Sequence, residues 1–470
     1  MILKHKDIII VPEEPFKNCR LKRKSHAVAL TSIVNSYADG FVLSLNNPWG
    51  TGKTTFVKMW KKYLENEGYS TLYFNAWEND FDADPMIALM SELGTLTDQK
   101  TEKSFNSLIK KAAVISHSVI PGLIKALAAK YIDTETLREV ISSAGEGAND
   151  LLKDEIVDYT KKKKGLVEFR AELEKYIKAH TGDKPLVLFI DELDRCRPTY
   201  AVELLEQIKH FFSVSGIVFV LSIDKGQLGN AIRGFYGSEQ INSNDYLRRF
   251  IDLEFTLPEP SAGIFVEYLY EYFGFDDYFR HDERNRYPGL SYDRESFIDF
   301  VTSLFELKAL TLRQQERLLS HARLTLRMFS QGNYLFPSVY ILLLYLKEFH
   351  SPIFAKLTAR SVNPQVILDD LSLILPKDIS EDKQYIYILT EATLIKLYFN
   401  YFRESNYSAK IYEQNIERKT VLLIEPYTDK SKGFQKFINI IDDLNSRNGG
   451  DVKISHLIDK INFLENLKDI

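Results

Sequence analysis

Asn46-Asn47-Pro48-Trp49-Gly50-Thr51-Gly52-Lys53-Thr54-Thr55 sits between two different periodicities. Before it, Phe41-Val42-Leu43-Ser44-Leu45 is the short apolar run of a buried strand; after it, Phe56 to Leu64 carries apolar residues at helical spacing. Strand, glycine loop and helix in that order are the context a phosphate-binding loop requires. The glycines let the backbone wrap closely, so that its N–H groups face phosphate oxygens, and the helix start adds partial positive charge. Lys53 supplies a full charge for the outer phosphates and Thr54 a hydroxyl for Mg²⁺. Asn47, Pro48, Trp49, Gly50, Thr51, Gly52, Lys53, Thr54 and Thr55 are therefore the nucleotide-binding candidates. The motif's first position, usually Gly, is Asn47; Asn tolerates left-handed backbone better than most residues, and on that ground the loop is expected to survive. The competing reading, a Gly-Thr turn that happens to precede Lys-Thr, leaves the flanking strand and helix unaccounted for.

At 470 residues the chain is long enough for two or three domains, and 45% hydrophobic residues suffice for large cores. A net charge of −5 argues against a coat for nucleic acid or anionic membrane, while a local basic patch stays open. Cys19 and Cys196 are the only cysteines, without metal-ligand spacing, which fits a reducing compartment and a cytoplasmic location. Ala112–Ile124 and Met328–Leu346 lack charge, but polar residues and proline interrupt both, so no membrane span is expected. The second reads as a buried helix from about Pro337 to Leu346.

Residues 1–40 hold an edge segment, Ile8-Ile9-Ile10-Val11, a basic patch, Arg20-Leu21-Lys22-Arg23-Lys24, and a helix with Ala27, Leu30, Ile33 and Val34 on one face. The patch reads mainly as a solvated face, with a role in touching the nucleotide or nucleic acid as the lesser alternative. Thr71 to Trp77 is a second strand. The next convincing one, Pro185 to Ile190, follows so late that a helical insert is expected at about 95–165, including the run Lys161-Lys162-Lys163-Lys164. Pro185–Ile190 and Ile217–Ile223 are apolar throughout, as strands of a parallel sheet covered on both faces are. Between them Leu204, Leu205, Ile208, Phe211 and Phe212 form a helical stripe. The latter half of Tyr246–Phe255 reads as a fifth strand. Residues 1–260 are thus the core, and 261–470, almost wholly helical, a lid or partner-binding domain.

Two apolar strands end in chemistry. Asp191, at a strand tip, is placed to hold Mg²⁺ through water; Glu192 follows, where a carboxylate can polarise the water that attacks the γ-phosphate. The alternative is that Glu192 and Asp194 begin the next helix, where acids suit the dipole. That reading is kept for Asp194, and catalysis for Glu192. Ser222 ends a strand that, in the usual order of such sheets, lies beside the phosphate-loop strand; it is a sensor candidate or a strand-terminating Ser. Arg248 and Arg249 are arginine-finger candidates against a surface reading. Arg313, Arg317 and His321 share one helix face, with Arg313 a sensor candidate and a solvated face the alternative. Trp49 and Trp77 pack on each other or shape the phosphate site. Without an Asn-Lys-x-Asp tetrapeptide, ATP with Mg²⁺ is preferred over GTP.

With these residues assembled, the chain resembles the KAP family of P-loop NTPases. The matching stretches are Pro15-Phe16-Lys17, Asn47 to Thr54, Tyr73-Phe74-Asn75-Ala76-Trp77, Asp191-Glu192-Leu193-Asp194-Arg195-Cys196-Arg197-Pro198, Tyr246-Leu247-Arg248-Arg249 and Ala309-Leu310-Thr311-Leu312-Arg313. The resemblance covers about residues 10–350. It implies an α/β ATPase core whose parallel sheet has an additional strand between the phosphate-loop and Mg²⁺-binding strands, with a helical insert and a helical C-terminal domain. Many relatives carry a membrane hairpin in the insert; here it is too polar to span, so the chain looks like a soluble member. Asn47 replaces Gly, which bears on affinity, and Arg249 stands where Lys is usual, which bears on the finger. Bacterial relatives are associated with exclusion of phages and plasmids, a role implied by the resemblance alone.

Three functions stay open at this point. The first is an ATP-hydrolysing switch or motor, as a homo-oligomer or with a partner effector protein. The second is a nucleotide-gated protein-binding module with little turnover. The third is a nucleic-acid remodelling ATPase, weakly motivated by the patches at Arg20–Lys24 and Lys161–Lys164.

Overall fold

Every residue of Leu186–Asp191 and of Ile217–Ile223 is buried, so neither strand has a wet face. A strand apolar on both sides must lie inside a sheet covered on both faces. The computed structural model, which describes residues 8–81, 85–99, 101–115, 151–212, 214–375, 381–414, 420–446 and 450–463, has that sheet. Its strands are β1 (Phe41–Asn46), β2 (Thr71–Asn75), β3 (Leu186–Asp191), β4 (Ile217–Ile223) and β5 (Leu253–Phe255). The order is β2-β3-β4-β1-β5, and every pair is parallel. β4 is the additional strand, seated between β1 and β3.

Alternate residues serve the two faces. Leu43, Leu45, Val187, Phe189, Val218 and Val220 pack against α1 (Lys24–Ser36) and α2 (Lys53–Asn66). Trp60 of α2, fully buried, meets Phe189 edge-on at 5.4 Å and donates its indole N–H to Thr31 Oγ1 at 2.9 Å. Val42, Leu72, Phe74, Leu188, Ile190, Phe219 and Leu221 face the other way. They meet α3 (Pro85–Gly94), α4 (Glu102–Ile115), α5 (Leu151–Thr181), α6 (Pro198–Phe212) and α7 (Lys225–Tyr236).

The described part of the insert is helical and belongs to this core. Phe105 of α4 and Phe169, Leu173, Tyr176 and Ile177 of α5 join the same apolar cluster as β2 and β3, and Lys111 pairs with Glu168 at 2.6 Å. The Lys161–Lys164 run lies in α5; the side chains of 161–163 and all of residues 116–150 lie outside the described residues.

One expectation is corrected at the start of the chain. Ile8–Val11 is not a strand and pairs with neither outer strand, β2 or β5; Ile8 and Ile10 lean on the apolar cluster on the α1–α2 side of the sheet. Side-chain amides bond this segment instead, Asn18 to Ile9 O at 2.7 Å and Asn66 to Pro12 O at 2.6 Å.

The chain divides into two compact units, Lys6–Glu259, which holds the sheet, and Pro260–Ile470. The second contains the helices Asp293–Lys308, Leu312–Leu326, Pro337–Phe349 and Glu381–Phe402. Residues Pro337 to Leu346 are buried without interruption, as their sequence requires. Among the described residues no helix is long and apolar enough to cross a membrane. The unit is not wholly helical: Tyr412–Gln414 and Thr420–Leu422 form an antiparallel pair, too short to leave an alternation in the sequence. Arg284, 1% exposed, ties four segments together through Asp293, the Tyr278 hydroxyl and the carbonyls of Gln331 and Asn333.

Candidate nucleotide-binding site

Parallel strands bring their C-terminal ends to one edge of a sheet. Here the register sets Ser222 beside Leu45 of β1 on one side and beside Asp191 of β3 on the other. The loop that leaves β1 therefore begins next to the Ser222 and Asp191 positions. Gly50 (φ 81°) and Gly52 (φ 79°) are left-handed, the conformation only glycine adopts without strain, and Gly52 caps α2.

Asn47 is not left-handed. Its side-chain amide, not backbone tolerance, fits it to this position. Its Nδ2 donates to Leu257 O at 2.9 Å, its Oδ1 accepts from Leu257 N at 2.8 Å, and its own N–H donates to Ile223 O at 3.2 Å. Glycine could make only the last of these bonds. Lys53, 8% exposed, donates its ammonium to the carbonyls of Asn47 and Pro48. Burial lowers its pKa; Asp194, Asp224 and Asp191 push the other way. Thr54 and Thr55 are half-buried on the first turn of α2, while Pro48 and Trp49 are exposed.

Asp191 accepts from the Tyr73 hydroxyl at 2.9 Å and from the N–H of Glu192 at 3.0 Å. Burial and the neighbouring carboxylate push the Tyr73 pKa far up, which keeps that hydroxyl a donor. Glu192 has φ 61°, strained for a residue with a Cβ. Its carboxylate meets Arg195 at 2.7 Å and the Asn75 amide at 3.4 Å. Burial raises its pKa, Arg195 opposes the rise, and Asp191 adds to it.

Asp194 is misread by the helix-dipole argument. It lies in the 3₁₀ turn Leu193–Arg195, before α6 begins at Pro198. Its Oδ2 accepts from the Trp49 indole at 2.5 Å and from the backbone N–H of Asp224 at 2.8 Å, so it joins the loop to the end of β4. Trp49 and Trp77 share a cation. The Arg195 guanidinium lies against both rings, at 5.9 and 5.8 Å.

Arg23 is the one residue of the basic patch that turns onto the phosphate loop, which the sequence kept only as the lesser reading and could not assign to a particular cation. It belongs to the patch read as solvated, yet it is 3% exposed, with Nη2 donating to Thr51 O at 2.9 Å and Nη1 to Gly52 O at 3.2 Å. The Ser222 hydroxyl is fully buried and has no hydrogen-bond partner among the described residues. Arg248 is exposed and pairs with Asp245 at 3.1 Å; Arg249 is exposed beside it. The structure does not gather either one into the loop's bonding network. Arg313 is exposed on Leu312–Leu326 and belongs to the other unit; Arg317 and His321 on the same helix pair with Glu348.

The site's chemistry fits a magnesium nucleotide. The Thr54 hydroxyl and Asp191 carboxylate are hard oxygen donors, the type Mg²⁺ selects. The orphaned Ser222 hydroxyl next to Asp191 is a polar atom in want of a partner.

A parallel sheet in this order, with a glycine loop closing on a lysine after its β1 strand, defines a P-loop NTPase, a nucleotide-binding class. The model of the KAP family P-loop domain matches residues 23–333, and the chain belongs to that family. An uncharacterized protein of Methanocaldococcus jannaschii is 31% identical over 177 residues, which is 33% of this chain and 89% of that protein. Among solved structures, the ORC2 protein of Aeropyrum pernix in ADPNP–ADP complexes aligns over 95% of this chain and 94% of its own, at 15% identity and a TM-score of 0.27.

Proposed function

We propose that the chain binds ATP with Mg²⁺ and hydrolyses it, as a switch or motor. The observation that carries this reading is the register that sets the Lys53 loop, Asp191 and Ser222 on adjacent strand ends, with Glu192 following directly. In this reading the Asn47–Thr55 loop cradles the phosphates, Lys53 neutralises their charge, and Thr54 and Asp191 hold the metal. Mg²⁺, when bound, neutralises charge on the β- and γ-phosphate oxygens. Glu192 orients and polarises water, and Ser222 bonds the γ-phosphate or that water. Arg248 and Arg249, exposed on the surface, suit a finger offered to a neighbouring copy. Arg313 is assigned as a sensor and the helical unit as a lid or partner-binding domain.

Turnover of wild type, Lys53→Ala and Glu192→Gln, with candidate partners and nucleic acid supplied, tests this. Lys53→Ala is expected to lose binding; Glu192→Gln keeps binding and loses about 10²- to 10⁴-fold in rate, the range for removing a positioned base. Equal rates in all three would overturn it. The defence role implied by the family is tested by phage plating on hosts carrying wild type or Lys53→Ala, with equal plating the negative outcome.

The pairing of Glu192 with Arg195 favours a second reading, a nucleotide-gated protein-binding module with little turnover. Tight ATP binding without turnover under any stimulus supports it.

A further inference from the structure

Arg23 precedes α1, outside the phosphate loop, and reaches it from behind. Its two terminal nitrogens take successive loop carbonyls, those of Thr51 and Gly52, and the Gly52 carbonyl also accepts the N–H of Phe56. The described backbone has no cis peptide bond. In a planar trans peptide the carbonyl and the following N–H point in opposite directions. Fixing Thr51 C=O and Gly52 C=O toward Arg23 therefore turns the N–H groups of Gly52 and Lys53 the other way, toward the inside of the loop.

Electrostatics points in the same direction. Arg23 is buried, and its terminal nitrogens bond the Thr51 and Gly52 carbonyls rather than a carboxylate among the described residues. A buried cation resting only on neutral carbonyls is expensive unless something compensates it. The two peptide dipoles carry its charge through the loop: their negative ends face Arg23, and their positive N–H ends face the anion side. Burial also lowers the Arg23 pKa, as such a position demands.

We propose that Arg23 is a positioning residue for the nucleotide, orienting the Gly52 and Lys53 amides toward the diphosphate through the carbonyls it holds. The inference rests on the phosphate-binding reading of the loop and adds a residue outside the motif. Because both amides act on the part of the ligand common to ADP and ATP, the two nucleotides lose affinity equally without it.

The test is titration of the full chain with ADP and with ATP, at a temperature where circular dichroism shows each variant folded. Arg23→Met is expected to weaken both nucleotides about tenfold or more and to raise the KM for ATP by the same factor, with kcat at saturation changed far less. Arg23→Lys, which keeps the charge and one donor, is expected to fall between. A merely structural role predicts a lower Tm with wild-type affinity in the folded protein, and that result overturns the proposal. If Arg23→Met does not fold, Arg23→Lys decides by the same criterion. Wild type that binds no nucleotide refutes the functional reading instead; wild-type binding with unchanged variants refutes only this inference.

Discussion

Asn47 and Leu257, 210 residues apart, are joined by both polar atoms of one side chain, the amide nitrogen donating to the Leu257 carbonyl and the amide oxygen accepting from its N–H. Leu257 directly precedes Pro258-Glu259-Pro260, where the second compact unit begins. The first residue of the phosphate loop is thereby tied to the end of the core's chain.

Asn47→Gly brings the loop closer to the usual motif and should nevertheless weaken the protein. It strands a buried N–H and C=O on Leu257, at about 1–3 kcal/mol for each group left unsatisfied. A denaturant or thermal midpoint lower than wild type is expected. An equal or higher midpoint contradicts the assignment of Asn47 as a clamp.

Asp194 separates geometry from charge. Asp194→Ala leaves the Trp49 indole and the Asp224 N–H without an acceptor and is expected to cost about 1–3 kcal/mol per stranded donor, read from unfolding midpoints. Asp194→Asn keeps one oxygen where both donors converge, and should cost much less. Equal losses in the two variants argue that the buried charge, rather than the two bonds, matters there.

Glu192 gives a pH dependence with a definite sign. In the proposed role its carboxyl acts ionised, and burial raises its pKa, so the acid limb of kcat/KM is expected above the ordinary carboxylate range. Arg195 opposes that rise. Arg195→Ala is therefore expected to move the limb to still higher pH, the deficit shrinking as Glu192 becomes ionised in both proteins. A limb that stays put, or moves down, assigns the titration to another group.

In the helical unit, Arg284→Ala leaves the largely covered Asp293, 15% exposed, without its partner. Breaking such a pair from one side typically costs about 3–5 kcal/mol. The double variant Arg284→Met with Asp293→Asn removes both charges and should recover part of the loss. No recovery, measured as a midpoint, would show that the bonds to Gln331 and Asn333 outweigh the ion pair.

The sheet was legible because burial on both faces writes itself into composition: Leu186–Ile190 and Ile217–Ile223 admit almost no polar residue. Lys53, Asp191 and Glu192 were legible because spacing and strand ends locate them. Arg23 was not, since nothing in Arg20-Leu21-Lys22-Arg23-Lys24 says which cation turns inward; only the carbonyls of a loop about thirty residues on decide it. Asp194 was illegible for the same reason, its partners Trp49 and Asp224 being remote in sequence. Asn47 was noticed for the wrong property, its backbone tolerance, when its amide was the working part. The pair Tyr412–Gln414 and Thr420–Leu422 is shorter than an alternation needs to be seen.

The strand order also sets a timetable for synthesis. β1 pairs with β4 and β5, whose neighbouring contacts lie 179 and 210 residues further along the chain. At about 5–20 residues per second, a ribosome takes roughly ten to forty seconds to deliver them. Until then α1 and α2, close in sequence, can shelter only the Leu43 and Leu45 face of β1. Its opposite face at Val42 and both hydrogen-bonding edges stay open in the nascent chain. That leaves Phe41–Leu45 open to mispairing during translation until β4 and β5 arrive.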